Sequence, residues 1–180
     1  TVTSAVPNTE TYLRRPDLGR CLGEGEATKL ETEFKPTGGG VALVISGGLS
    51  ATAVERHAPD TVQALTHELT ARRIAALAPV IVRFGRVAVG DPIGEALKAD
   101  AVIVLIGERP GLDSSDSLGA YLTFAPRTGR SDAERNCVSN IHGRGLSPKL
   151  AAAKLAWLCQ EALRRQLSGV RLKDESGLLP

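Results

Sequence analysis

Apolar residues in this chain come in short, unbroken blocks. VALVIS (41–46), PVIVRFG (79–85) and AVIVLIG (101–107) are the clearest, and β-branched residues dominate them. Blocks that are apolar throughout, instead of alternating, suit strands buried on both faces of a sheet. AYLTFAP (120–126) is a fourth candidate strand and CVSNI (137–141) a less regular fifth. Between the blocks the spacing of apolar positions lengthens to that of a helix. In LSATAVERHAPDTVQALTHELTARRI (49–74), Val62, Leu65 and Leu69 recur at helical spacing, and Pro59 predicts a break into two helices, with Asp60 in the first turn of the second. DPIGEALKA (91–99) places Asp91 at an N-cap position and Pro92 at the first helical position. Near the C-terminus Ser147 is an N-cap, Pro148 follows, and KLAAAKLAWLCQEALRRQL (149–167) is rich in helix formers. Leu150, Trp157, Leu158 and Ala162 share one face of that helix, and Gly169 is placed to end it.

Strands alternating with helices predict a parallel sheet with helices packed on it. The predicted fold class is α/β: a doubly wound, mainly parallel sheet over residues 41–180, preceded by an N-terminal segment over residues 1–40. Within that segment GEGEATKLETEF (23–34) reads as a short amphipathic helix and KPTGGG (35–40) as a glycine-rich link.

Composition narrows the function classes. The chain has 180 residues, 23% of them charged, with a net charge of +2, which makes no global case for nucleic-acid or membrane binding. No apolar stretch approaches the roughly 20 residues that span a bilayer, and the N-terminus has no charged-then-apolar signal pattern. Cys21, Cys137 and Cys159 are odd in number and far apart, which argues against a zinc site or a disulfide framework and for free thiols in a reducing cytosol. The sequence begins at Thr1 instead of methionine, as a fragment, a processed product or a trimmed chain would.

The usual catalytic signatures are missing. The loop after the first strand, SGGLSATA, is not G-x-G-x-x-G, and neither a phosphate loop ending in G-K-[ST] nor a G-x-S-x-G elbow occurs. His57, His67 and His142 lack metal-ligand spacing, and the first two lie in helical sequence as surface or packing residues. The loop GLDSSDS carries Asp113 and Asp116, a pair suited either to magnesium or acid–base work or to a solvated turn held by local hydrogen bonds. Cys137, in DAERNCVSN, is either a nucleophile or a small buried hydrophobe. What does stand out is polar and glycine-rich sequence at three strand ends: Ser46-Gly47-Gly48, Gly85-Arg86-Val87 and Gly107-Glu108-Arg109. In open α/β sheets ligands bind beyond the carboxyl ends of the strands. These ends therefore predict a binding site and leave its ligand open.

The same strand ends carry a family resemblance. YLRRPDLGR, VISGGLSATAV, RFGRVAVGDPIGEAL, VLIGERPGLDSSDSLGAYLTFAPR and DAERNCVSNI occur in this order. Together they resemble the small (light) subunit of ethanolamine ammonia-lyase from about Tyr12 to the end of the chain. The resemblance implies a Rossmann-like domain that helps bind adenosylcobalamin at the interface with a large, catalytic TIM-barrel subunit, in a hetero-oligomer. It implies radical conversion of ethanolamine to acetaldehyde and ammonia, with the substrate held mainly by the large subunit and no activity of this chain alone. It also implies a cytosolic setting, in some bacteria inside a protein-shelled microcompartment. Three cofactor-contacting positions of the family fall on Val87 in FGRVAVGD, Glu108 in IGERPGL and Cys137 in RNCVSN. Family members carry a longer helical region ahead of YLRRPDLGR. NIHGRG (140–145) nearly fits the D-x-H-x-x-G motif of other B12 proteins, but Asn140 stands at the aspartate position, so His142 is expected to be a loop residue. From the residues alone a second reading remains, a free-standing nucleotide- or metabolite-binding α/β module without enzymatic activity.

Overall fold

The computed structural model describes residues 1–36, 38–108 and 116–177. In chain order the elements are β1 (Val2–Thr3), α1 (Thr9–Arg14), α2 (Glu26–Phe34), β2 (Val41–Ser46), α3 (Ala51–Ala71), β3 (Val80–Arg83), α4 (Gly90–Ala96), β4 (Ala101–Gly107), β5 (Leu118–Phe124), β6 (Arg135–Ile141) and α5 (Pro148–Arg165). Short 3-10 turns at Leu18–Arg20, Val87–Val89 and Asp132–Glu134 link some of them. The blocks 41–46 and 101–107 are strands over just those residues.

The α/β class holds, but the sheet is mixed. Its order is β1-β3-β2-β4-β5-β6; the first four strands run parallel, whereas β5 is antiparallel to β4 and β6 to β5. The expectation of a doubly wound, mainly parallel sheet therefore describes the first four strands in that order but not β5 and β6. The signal for those two lay in alternation. LGAYLTF (118–124) and RNCVSNI (135–141) do not run apolar throughout; they place Leu118, Ala120, Leu122, Val138 and Ile141 on one face and Gly119, Tyr121, Thr123, Arg135 and Cys137 on the other. Such alternation belongs to antiparallel strands with one face in the core.

Two cores result. On one face α3 and α5 pack against each other and the sheet, burying Leu65, Leu69, Leu105, Leu122, Leu155 and Ala156. On the other, α2 and α4 cover Val44, Val82, Val102 and Val104 through Leu30 and Ile93. Residues of the N-terminal segment join this second core, since Val2 pairs with Val82 as an edge strand and Val2 and Leu30 are each 1% exposed.

Three local expectations are corrected. Pro59 lies inside a single helix, α3, which spans it because Ala58, Thr61, Leu65 and Leu69 are buried on either side. Tertiary burial outweighs the one hydrogen bond that proline forfeits. Asp91 does not cap α4. That helix starts at Gly90, directly after the 3-10 turn, and the Asp91 side chain is buried in an ion pair. Finally α5 ends at Arg165 with Gln166 in the left-handed region (φ 56°), ahead of Gly169. Its start is as expected, with Ser147 Oγ accepting from the Leu150 amide at 3.3 Å.

Candidate functional site

The two antiparallel strands, β5 and β6, create the site. A parallel connection needs a crossover that lays a helix on the sheet, whereas a hairpin does not. The α-helices with substantial packing on β5 and β6 are α3 and α5, both on the core face. The opposite face, around Tyr121 and Cys137, is left as the floor of a cleft of about 700 Å³.

The walls come from three strand ends and the N-terminal segment. Gly48 and Leu49 follow β2, Arg86 and Val87 follow β3, and Gly107 and Glu108 end β4. The β2 and β4 ends meet backbone to backbone: the Leu49 amide donates to Gly107 O at 2.9 Å, and a side chain on Gly107 would come within 2.0 Å of Ser50 O. This glycine serves loop-to-loop contact as much as ligand access. Tyr12, Pro16 and Arg20, from YLRRPDLGR, close the far wall. They are fixed by Arg86, whose amide donates to Gly19 O at 2.7 Å, whose Nη2 donates to Tyr12 O at 2.9 Å, and whose guanidinium lies 4.0 Å from the Tyr12 ring centroid. The upstream motif is thus built onto the loop that carries Val87. Arg86 Nε is buried without a hydrogen-bond partner, a donor left over on a cleft-lining residue.

Val87, Glu108 and Cys137 all line this one cleft. Glu108 is half-buried, its amide donates to Ser117 O at 2.9 Å, and its Oε2 accepts from Ser117 Oγ at 2.8 Å. Cys137 is exposed and pairs in register with Tyr121. Burial by surrounding protein pushes the Cys137 thiol up, against the opposing hydrogen bond from Tyr121, and the Glu108 charge raises it further. Desolvation first, then the Cys137 neighbour, raises the Tyr121 phenol. Both groups are neutral at pH 7, so Cys137 lacks the thiolate of an activated nucleophile.

Sequence reasoning missed the buried ion pair beneath the cleft. Arg135 donates to both Asp91 oxygens at 2.7 Å, to Thr123 Oγ1 at 2.9 Å and to Arg130 O at 3.0 Å. Its side chain and that of Asp91 are 3% and 2% exposed. This bidentate pair ties α4, and with it the Val87 turn, to β6 two residues before Cys137.

Other candidates fall elsewhere. His142 is buried in the loop after β6, with Nε2 2.7 Å from Asn140 Oδ1, and does not line the cleft. Asp116 is bound by Arg56 at 2.9 Å and lies 3.3 Å from His57 Nε2, which pins the end of its loop to α3. Arg109, Pro110, Gly111 and Asp113 lie outside the described residues. Among the described residues no group of three or more His, Cys, Asp or Glu is placed to hold a metal, and no helix is long and apolar enough to cross a membrane.

Comparison with known proteins agrees with the motif reading. A family model described as the ethanolamine ammonia-lyase light chain (EutC) matches residues 1–173. The chain belongs to the ethanolamine ammonia-lyase light-chain family. Its relatives include the ethanolamine ammonia-lyase small subunits of Xanthomonas campestris pv. campestris (strain B100), 54% identical over 176 residues, and Azotobacter vinelandii, 53% identical over 176 residues. That of Bradyrhizobium diazoefficiens is 56% identical over 167 residues. These alignments cover 96%, 96% and 92% of this chain, but 64%, 65% and 63% of the relatives. The chain thus spans a little under two thirds of the light chains it matches.

Proposed function

We propose that this light chain forms one wall of an adenosylcobalamin site in an ethanolamine ammonia-lyase, working with a large catalytic subunit to convert ethanolamine to acetaldehyde and ammonia. The observation that carries the reading is the convergence of Val87, Glu108 and Cys137, from three separate elements, on one cleft. Family membership supplies the ligand class.

The donor set suits a corrin rimmed by amides. The Glu108 carboxylate accepts N–H bonds, the Arg86 guanidinium supplies donors to carbonyls, Tyr121 and Cys137 form the floor, and Val87 adds an apolar wall. Bound adenosylcobalamin supplies radical initiation through cleavage of its cobalt–carbon bond, and the protein supplies binding and orientation. In that division of labour Glu108 would help hold the corrin by accepting from its amide side chains. Val87 and Cys137 would exclude water from the bound group. The cleft is of drug-sized volume, smaller than a cobalamin needs, so a second protein surface would complete the site.

The test is co-expression of the full-length light chain with its large subunit, scored by acetaldehyde release and by cobalamin titration. Glu108→Ala is expected to weaken cobalamin binding about tenfold, the loss of roughly one charge-assisted hydrogen bond, and Glu108→Gln less. Unchanged affinity and turnover in both variants would remove Glu108 from the site. Tight cobalamin binding by the light chain alone would favour a free-standing binding module.

A further inference from the structure

The Glu108 carboxylate occupies space that only a glycine leaves open. A β-carbon on Gly119 would lie 2.5 Å from Glu108 Oε1 and 3.1 Å from its Cδ, closer than van der Waals contact allows. Gly119 has no positive φ and sits inside β5, so neither a turn nor a left-handed backbone calls for glycine there. An interior glycine weakens a strand and commonly marks close approach of another group. The approaching group here is the carboxylate itself. Its other oxygen, Oε2, accepts from Ser117 Oγ at 2.8 Å, and Ser117 is buried. The same serine's carbonyl accepts the Glu108 amide at 2.9 Å, so backbone and side chain are gripped by one residue. Opposite Gly119 the pairing of β5 with β6 slips between Leu118 and Ala120, and Asn140 on the bulged strand takes φ 61°. Bulges re-aim side chains beside binding sites.

We propose that Ser117 and Gly119 are positioning residues that hold the Glu108 carboxylate flat across the end of β5, aimed into the cleft. Ser117 fixes one oxygen by a hydrogen bond, and Gly119 removes the side chain that would push the other oxygen away. Neither residue lines the cleft, so each acts through Glu108. This rests on the reading that Glu108 contacts cobalamin and extends it to two residues that the family resemblance did not mark.

The test is a double-substitution cycle in the full-length light chain assembled with its large subunit. Equilibrium dialysis with hydroxocobalamin gives affinity, and thermal unfolding reports folding. Gly119→Ala is expected to weaken cobalamin binding about tenfold, as Glu108→Ala does, with the unfolding midpoint kept within about 3 °C. On a Glu108→Ala background, Gly119→Ala is expected to cause no further loss, because no carboxylate is left to displace. Ser117→Ala is expected to give a smaller loss with the same non-additivity. An unchanged affinity in Gly119→Ala, or an equal further loss on the Glu108→Ala background, overturns the proposal. Should Glu108→Ala itself leave affinity intact, the cofactor role of Glu108 fails. The positioning claim is then decided by a crystal structure of Gly119→Ala: a carboxylate moved off Ser117 Oγ supports it, and one left in place refutes it.

Discussion

At the scale of single residues, Cys137 separates contact from reactivity. Its thiol is exposed, yet the protein packed around it, and the Glu108 charge, hold it above the ordinary cysteine value of 9.0. A raised value means less thiolate at any pH below it, and thiolate is the form that reacts. Iodoacetamide labelling of Cys137, followed by peptide mass spectrometry, is therefore expected to keep accelerating above pH 9. A rate that levels off below pH 8.5 would show an activated thiol and reopen the nucleophile reading. Beside the cofactor contact implied by the resemblance, the residues alone offered Cys137 as a nucleophile or a small buried hydrophobe, and the exposed thiol corrects the second. Its surroundings became readable only once Tyr121 was known to stand across from it, because the partner strand and the turn that fix register lie outside the residues around Cys137.

At the scale of elements, the Asp91–Arg135 pair does the joining between α4 and β6. Both charges are desolvated, so removing one partner leaves the other buried without compensation. Asp91→Asn is expected to destabilise the chain by about 3–5 kcal/mol, measured by urea unfolding, whereas paired replacement by Leu at 91 and Met at 135 is expected to cost far less. An Asp91→Asn cost below about 1 kcal/mol would mean that the pair is dispensable. The sequence pointed Asp91 toward a cap, since an acidic residue before proline fits that role. It was outweighed by an arginine 44 positions away, a distance across which local rules carry no information. The blocks VALVIS and AVIVLIG were legible to the residue because buried parallel strands are apolar throughout. The strands carrying the cleft were not, because alternate positions face the core and the other side, which breaks the unbroken apolar run. Likewise α3 ran through Pro59 because packing on both sides of the proline exceeded the local penalty.

At the scale of the whole molecule, buried thiol chemistry shapes stability against pH. Burial in the α5 core pushes the Cys159 thiol up to about 12, with a further push from Asp100, from an ordinary value of 9.0. The folded chain keeps this proton over a range in which the unfolded chain gives it up. The stabilisation is complete below about pH 9 and is lost as pH climbs toward 12, at up to about 1.4 kcal/mol per pH unit for this one group. Cys159→Ala removes the effect. The stability gap between wild type and variant, measured by chemical unfolding, is expected to narrow between pH 8 and pH 10.5; a constant gap would contradict the assignment. The family's strand-end motifs made the cleft's membership legible at this scale, because they sit on three elements that the fold brings together. Its supports, Ser117, Gly119 and Arg135, were not legible, since they act through their neighbours.

The alternation of β5 and β6 also bears on how the family can change. Leu118, Ala120 and Leu122 belong to the core, while Tyr121 lines the cleft and Gly119 abuts the Glu108 side chain. Mutational tolerance along this hairpin is therefore expected to beat in twos. Changes at 118, 120 and 122 lower the amount of folded protein, and changes at 119 and 121 spare it while altering what is bound. Two selective pressures, for abundance and for ligand, thus run along the same seven residues on alternate positions, and evolution can adjust one with little disturbance to the other.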